Sequence, residues 1–508
     1  MKTFAIDSLV VTIANTAVHL SNYIVVAVIA AFFGATWQTD AFFLALSLPT
    51  FFVSAIVNAV GSVFIPIFAE SRNARPQLLG QLIGSALLYT FIGTLLIVLI
   101  IVLIALNLFR WIPFENATLE FRQLVIEQTL WMSPVIVIQT MTGIISAFYN
   151  ANGRFLIPPV TDAISTFAVL MIITIARSSL GIFSVPMGFV CGAILHLLFL
   201  SMFWHRFNVS IVWTWNIDPE LRRSFSLSLP LILGTVVLQL GTIISRFLAA
   251  QLPEGSVTIL DYANRISYGV MEFLTSGVLL VVLARWSQDS TSKSLIHLRQ
   301  EVQKFVQMIL FIVVPVVTIV ISLRQPLVAF AFQRGNFSAT DTIATASVLL
   351  FFMLGVPIDV VGRTYVRLFL VWKNTRIVGA LAGLRVLVTV ISILLLMHAM
   401  GVSGIALADT AGVIFITISF VVVANRKLGN TFANNGRHLV KIGISALGSA
   451  LVTMLVSQSF TGSDFLKLIV AGLAGCITYI VVSLLLQSEQ LTIVLGFLKK
   501  PSLENISL

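Results

Sequence analysis

Residues 83–109 read IGSALLYTFIGTLLIVLIIVLIALNLF, 27 positions without one charged side chain. A hydrocarbon core about 30 Å thick is crossed by about 20 such residues in a helix. No water is present there to satisfy free backbone groups, so a crossing segment has to be helical. Runs of the same kind recur along the chain with only short polar joints between them. They predict helices at roughly 7–34, 40–69, 78–109, 121–149, 156–176, 181–205, 224–251, 260–284, 303–324, 341–371, 377–398, 402–425, 438–458 and 464–487. The fold class read from this pattern is an all-α polytopic membrane protein with about 14 transmembrane helices.

Composition narrows the function. The 508 residues are 58% hydrophobic and only 10% charged, with a mean hydropathy of +1.03. No joint is long enough for a soluble catalytic or nucleotide-binding domain. No glycine loop followed by Lys-Ser/Thr is present to cradle a phosphate. The chain is therefore expected not to be an enzyme and to need no cofactor. Its net charge of +10 comes from basic residues at helix ends, where they set topology rather than bind nucleic acid. Cys191 and Cys476 lie in apolar runs and imply neither a disulfide framework nor a metal site. No cleavable signal pattern precedes the first run, which is expected to be a retained helix.

Charge also orients the chain. With the N-terminus inside, the cytoplasmic joints hold about 19 of the 30 Lys and Arg, including Arg72, Arg75, Arg154, Arg222, Arg223, Lys293, Arg299, Arg426, Lys427 and Lys499. The outer joints hold about 6, namely Arg110, Arg122, Arg177, Arg324, Arg334 and Lys467. This bias predicts a multi-pass inner-membrane-type (cytoplasmic membrane) protein with both termini cytoplasmic.

The chain looks duplicated at an offset of about 220. Asp40-Ala41 opens the second helix, and Asp261-Tyr262-Ala263 opens the eighth, 221 positions later. Phe148 and Phe369 close the fourth and tenth helices at the same spacing. Gly181 and Gly192 correspond to Gly401 and Gly412, 220 later. Six helices per copy is an even number, so the copies insert in the same orientation around a cavity. The expected organisation is a first lobe at 1–205, a cytoplasmic linker at 206–223 and a second lobe at 224–425. Two further helices and a cytoplasmic tail fill 426–508. Trp213 and Trp215 in the linker suit the bilayer interface.

Ionisable groups inside the spans are costly and usually face a bundle interior or a wet cavity. Arg246 lies near the outer end of the seventh helix. Arg265 and Glu272 are seven apart on the eighth, hence on one face two turns apart. Asp359, Arg363 and Arg367 form one stripe on the tenth helix. Arg385, Asp162, Asp409 and His19 complete the set. The functional reading is a cationic cavity for an anionic headgroup, with arginine forks matched to phosphate geometry. The bland reading makes Asp359–Arg363 an intrahelical ion pair, lets Arg367 snorkel to the interface, and leaves His19 as a packing group. A carboxylate at bilayer depth is hard to keep ionised, which makes Glu272 a candidate proton carrier. Pro49, Pro134, Pro230, Pro315 and Gly355 with Pro357 mark expected kinks.

Phe33-Gly34-Ala35, Thr39-Asp40-Ala41-Phe42-Phe43-Leu44-Ala45 with Leu48-Pro49, Gly255-Ser256-Val257, and Tyr262-Ala263-Asn264-Arg265 resemble stretches of the MviN/MurJ family of lipid II flippases. Further along, Arg334-Gly335-Asn336-Phe337, Gly355-Val356-Pro357, Arg367 to Arg376, and Gly401 to Leu407 continue the resemblance in the same order. It implies membership of the multidrug/oligosaccharidyl-lipid/polysaccharide exporter superfamily. It further implies two pseudo-twofold-related six-helix lobes around a central cavity, and a lipid-tail groove on the last two helices. Carried over residue by residue, it marks Arg265, Arg246, Asn264, Asp40 and His19 as cavity positions. Arg363, Arg367 and Arg385 join them on charge alone. The departures are definite. An Arg-Asp pair usual in the first helix reads Val25-Val26, and an upstream Arg becomes His19. Basic and acidic positions of the second helix read Val53-Ser54 and Asn58. The family's sodium positions read Ser245, Thr389 and Ile393, so sodium coupling is not expected. Glu272 replaces a usual glycine.

The reading that follows is a flippase carrying an undecaprenyl-pyrophosphate-linked glycan, lipid II by family default, from the cytoplasmic to the outer leaflet by alternating access. Another polyprenyl-linked saccharide, such as an exopolysaccharide or O-antigen unit, is the second reading. A small-molecule exporter and a non-transporting membrane scaffold are the others. The expected partners are the glycan lipid, the bilayer and the cell-wall synthesis machinery.

Overall fold

The structure is a computed structural model. It describes residues 2–111, 118–207, 209–215, 219–275, 295–372, 374–431, 436–460 and 462–491. All regular structure among these residues is helical. The helices are α1 (Lys2–Phe33), α2 (Trp37–Ala74), α3 (Leu79–Trp111), α4 (Leu119–Met132), α5 (Pro134–Ala151), α6 (Ile157–Leu180), α7 (Ser184–Met202) and α8 (Pro219–Ala249). They continue as α9 (Ser256–Thr275), α10 (Leu295–Ser322), α11 (Arg324–Phe332), α12 (Ala339–Val371), α13 (Thr375–Met400), α14 (Val402–Leu428), α15 (Gly436–Ser459) and α16 (Asp464–Leu485).

Among the described residues, 12 stretches are long and apolar enough to cross a membrane. One of them, Ile157–Met202, holds both α6 and α7, joined by a 3-10 turn at Gly181–Phe183. α9 is outside the 12 and carries Asp261, Arg265 and Glu272. Counted with these two, the spans agree with the expected figure of about 14. Two expectations change. The fourth helix is two helices, because α4 ends at Met132 and Pro134 opens α5. Proline has no N–H to donate and suits a first helical position. Pro49, Pro315 and Pro357 lie instead inside continuous helices. The short α11 was not expected; nine residues are too few for the periodic pattern that marks a span. The expected end of the eighth helix at 276–284, Lys293 and Lys499 lie outside the described residues.

The chain forms two compact units. The first is Met1–Thr258 with Arg334–Phe337, and the second is Ile259–Gln333 with Ser338–Leu508. In the first, Val60, Phe64 and Phe68 of α2 pack with Ile83 and Leu87 of α3 and with Ile144 and Phe148 of α5. The Phe148 ring lies 4.6 Å from Trp204 and 5.1 Å from Phe207. The next residue, Tyr149, donates from its hydroxyl to the Leu200 carbonyl at 2.7 Å. Lipid is as apolar as these side chains, so close packing and internal hydrogen bonds hold the helices together.

The non-helical segment 209–215 lies against α3. Val212 N–H donates to the Gly80 carbonyl at 3.1 Å, Ser85 Oγ to Thr214 at 3.1 Å, and the Tyr89 hydroxyl to Trp215 at 2.6 Å. A Cβ at Gly80 would lie 2.1 Å from the Ser210 carbonyl oxygen, and one at Gly84 would lie 2.1 Å from that of Val212. Two glycines one turn apart thus make the groove that the segment occupies.

In the second unit, α14 packs on α12 through small residues. Thr410 donates to the Phe351 carbonyl at 2.7 Å and Thr417 to that of Ile358 at 3.1 Å. Gly355 and Gly362 leave room for these threonines. α16 is tied to α15 by Ser483 to Ser445 at 3.1 Å and Ser449 to the Gly475 carbonyl at 2.9 Å.

Backbone conformations repeat at the offset seen in the sequence. Gly181 has φ 54 and ψ −132, and Gly401 has φ 57 and ψ −136. Gly34 and Gly255 both have positive φ, at 65 and 86. A Cβ at Gly192 would meet Val169, and one at Gly412 would meet Thr389, which again lies 220 positions after its counterpart. The positive φ at Gly401 is strained for any side chain, at about 1–3 kcal/mol. Gly401→Ala is expected to lower the thermal unfolding midpoint of the purified protein. Gly443, helical with open space beside it, is the control. Gly443→Ala should leave the midpoint unchanged or raise it slightly.

Candidate substrate-binding site

Helices leave their first N–H groups without partners, so a carboxylate near a helix start is held strongly. Asp40 shows this in the first unit. It lies in the first turn of α2 and is 5% exposed. One carboxylate oxygen accepts from Gly255 N–H at 2.7 Å, and the other from Thr258 N–H at 2.8 Å and Thr258 Oγ1 at 2.7 Å. Both oxygens are thereby committed to the start of α9. A second carboxylate, Glu254, accepts from the Trp37 N–H at 2.9 Å and closes the start of α2 in return. Gly255 has to be glycine here, since its φ is 86 and a Cβ would sit 2.8 Å from the Ala35 carbonyl oxygen.

Arg246 of α8 donates to Ser47 Oγ at 3.1 Å. His19 is exposed on α1 and interacts electrostatically with Asp162. Asp162 in turn lies 3.6 Å from His196. His19 is therefore no isolated packing group. His196 was not singled out in the sequence, because it lies 34 positions after Asp162 on another helix and only packing brings the two together.

In the second unit, cations and carboxylates alternate. Arg265 donates from Nε to Asp261 one turn earlier, and Asp261 is 2% exposed. Arg363 donates from Nε to Asp359 at 2.9 Å, and its Nη1 lies 3.7 Å from Glu272 of α9. The partner of Glu272 is thus Arg363, not Arg265, Arg246 or Arg385. Arg385 of α13 reaches Asp409 of α14 at 3.2 Å. Arg367 makes no ion pair among the described residues, and Asn264 is half-buried beside Arg265. The Asp359–Arg363 pair fits the bland reading, but Glu272 makes Arg363 the centre of a three-group array. Asp261 could have been found from its i, i+4 spacing to Arg265.

Two features give this array chemical capacity. The Arg363 and Glu272 side chains are 38% and 37% exposed, so packing does not close them off. The 3.7 Å contact is longer than a hydrogen bond, so Glu272 is the looser of the two carboxylates on Arg363. A phosphate oxygen can replace it without stranding a buried charge. Of the positions noted for sodium, Ser245 donates to the Gly241 carbonyl of its own helix at 2.8 Å, and Ile393 is fully buried.

The chain matches the family described as "Lipid II flippase MurJ" over residues 29–472. A probable lipid II flippase MurJ from Rhizobium meliloti (strain 1021) is 24% identical over 416 residues, covering 78% of this chain and 76% of the relative. The lipid II flippase MurJ of Thermosipho africanus (strain TCF52B) is 25% identical over 460 residues, covering 89% and 90%. Among solved structures, a lipid II flippase MurJ in an inward closed conformation superposes with a TM-score of 0.78 at 22% identity, covering 94% of this chain and 98% of that one. An inward-facing multidrug resistance MATE family transporter of the MOP superfamily reaches 0.64 at 16% identity, covering 82% and 100%.

The Asp40 arrangement carries a stability prediction. Asp40→Ala strands two buried N–H groups and a hydroxyl, each at about 1–3 kcal/mol. It should lower the thermal midpoint clearly. Asp40→Asn keeps one acceptor and should fall between the two. Equal midpoints for the parent chain and the Ala variant would contradict the anchoring role.

Proposed function

Because the chain belongs to the lipid II flippase MurJ family, we propose that it carries lipid II, an undecaprenyl-pyrophosphate-linked peptidoglycan precursor, from the cytoplasmic to the outer leaflet of a bacterial inner membrane. The observation that carries this is the Glu272–Arg363–Asp359 array with Arg265 two turns along α9. A pyrophosphate offers several oxygens to planar guanidinium forks. Asp359 and Asp261 hold the arginines in place, and Glu272 yields its position at Arg363 to the phosphate. Protonation of Glu272 favours loading, because it removes the competing charge. When the substrate leaves, an ionised Glu272 returns to Arg363. Each ligand then favours a different charge state, which links protonation to the cycle. Arg385, Arg367 and Asn264 serve as further contacts for the headgroup. The activity is transport rather than enzymatic catalysis. Both termini face the cytoplasm, and the cell-wall synthesis machinery takes the product.

A second reading keeps the chemistry and changes the glycan. Val25 and Val26, at the positions of the family's Arg-Asp pair, are 2% and 3% exposed and belong to the apolar core. The first unit thus lacks that pair, which favours another polyprenyl-linked saccharide. Complementation of a strain depleted of its lipid II flippase separates the two. Rescue supports lipid II; failure at normal membrane levels supports the alternative.

Two substitutions test the site. Arg265→Lys should impair rescue almost as severely as Arg265→Ala, because a point charge does not reproduce a bidentate contact. Normal rescue by the Lys variant at equal expression would count against phosphate binding there. Glu272→Gln should accumulate normally and weaken the pH dependence of transport in vesicles. A fall in stability instead would mark Glu272 as a structural partner of Arg363.

A further inference from the structure

We propose that Asp162 and His196 form a second proton-binding site, within the first unit, that opens to water through its own cavity. The cavity measures about 420 Å³. Its apolar wall includes Val18 of α1, Ile65 of α2 and Pro158 of α6, and its polar side is Asn150, Asp162 and His196. None of these residues belongs to the Glu272–Arg363 array.

His196 is 7% exposed, and neither of its ring nitrogens has a hydrogen-bond partner among the described residues. A buried imidazole always carries at least one N–H, so an unmade bond at this depth has a cost. The carboxylate beside it is Asp162, whose Oδ1 is 3.6 Å from Nδ1. That is close enough for charge attraction and too far for a hydrogen bond. The Asp162 side chain keeps 37% of its exposure, and the cavity beside it is roomy and polar enough for water. The pair is therefore set apart by less than 1 Å from a charge-assisted contact, which one added proton would close. Without that proton the cavity carries one negative charge; with it, the pair is neutral overall.

The surroundings limit what else can titrate. From α1, His19 faces Asp162. α2 and α5 contribute Ile65 and Asn150, which do not ionise, and among the described residues no other charged side chain lines the cavity. His19 is exposed on α1. Five helices, α1, α2, α5, α6 and α7, meet at this point. A proton that draws His196 onto Asp162 tightens α7 against α6 and favours the conformation with the smaller cavity. A ligand moves a conformational equilibrium only as far as it binds one state better, and here the ligand is a proton.

The first test is independent of the transported substrate. Diethyl pyrocarbonate acylates only the neutral imidazole. Peptide mass spectrometry of the purified full chain resolves His196 from the other histidines, of which the chain has 6 in total. At about pH 5, His196 in Asp162→Asn should react severalfold faster than in the parent chain, because the carboxylate that favours its protonated form is gone. At about pH 8.5 the two rates should agree. Asp162→Glu retains a carboxylate and should keep the protection at low pH. Equal rates at both pH values, or no reaction of His196 at any pH, would overturn the site. The second test rests on the flippase reading. In vesicles, His196→Gln should flatten the pH profile of lipid II transport, to less than about twofold across the range in which histidine titrates. A parental profile in that variant would overturn the coupling. Absence of lipid II transport by the parent chain, with acid protection of His196 intact, would leave the site standing and overturn the substrate instead.

Discussion

Inside a bilayer each backbone amide and each charge has to be matched by the protein itself, because no water is present to do it. This constraint explains most of what the chain does with its few polar residues. Threonines and serines of the spans return their hydroxyls to carbonyls, as Thr410 and Thr417 do toward α12. The open N–H groups at the start of α9 are met by Asp40, and the one at Trp37 by Glu254. The arginines are met by Asp261, Asp359, Glu272 and Asp409. Pairing a charge so near to home limits its cost while leaving it able to change partners where packing does not close it off. Glu272 and Arg363 are open in this way, whereas Asp261 and Asp40 are not.

Much of the fold was legible because the bilayer imposes a length. A run of about 20 apolar residues has one solution in lipid, and the spans fall where the runs are. The helix breaks were less legible. Pro134 ends one helix and starts another, whereas Pro49 and Pro357 sit within unbroken helices. Proline alone does not decide between these outcomes; the groups that re-satisfy the freed carbonyls do. The candidate site was legible where it is local. Asp359 and Arg363 are one turn apart, and their pairing follows from helix geometry. The partners of Glu272 and His196 come from other helices, and only packing brings them together. Asp40 was expected in a substrate cavity, and no local spacing marks the helix-end amides that occupy both its oxygens.

The duplication is better preserved in backbone than in chemistry. Gly181 and Gly401 keep the same conformation, and Gly192 and Gly412 meet the same register of the preceding helix. Side chains at matched positions have diverged. Ser165 corresponds to Arg385, which makes an ion pair with Asp409; the matching position in the first copy is Phe189. A tight helix contact tolerates few changes in either copy, since any added atom meets its neighbour. A polar position facing a cavity tolerates many. The two halves have thus been free to take up separate charge systems, with Asp162–His196 in one and Arg363–Glu272 in the other.

The groove that Gly80 and Gly84 open along α3 has a practical consequence. The segment 209–215 is seated in it by three hydrogen bonds, with carbonyl oxygens where side chains would otherwise stand. Sequence composition makes the joint between the sixth and seventh spans look like a convenient place for an epitope, a fluorescent fusion or a topology reporter. An insertion within 209–215 would have to lift backbone out of a slot cut to its width. The joint that follows Gly153, where a Cβ would meet only open space, is the better position for such a label.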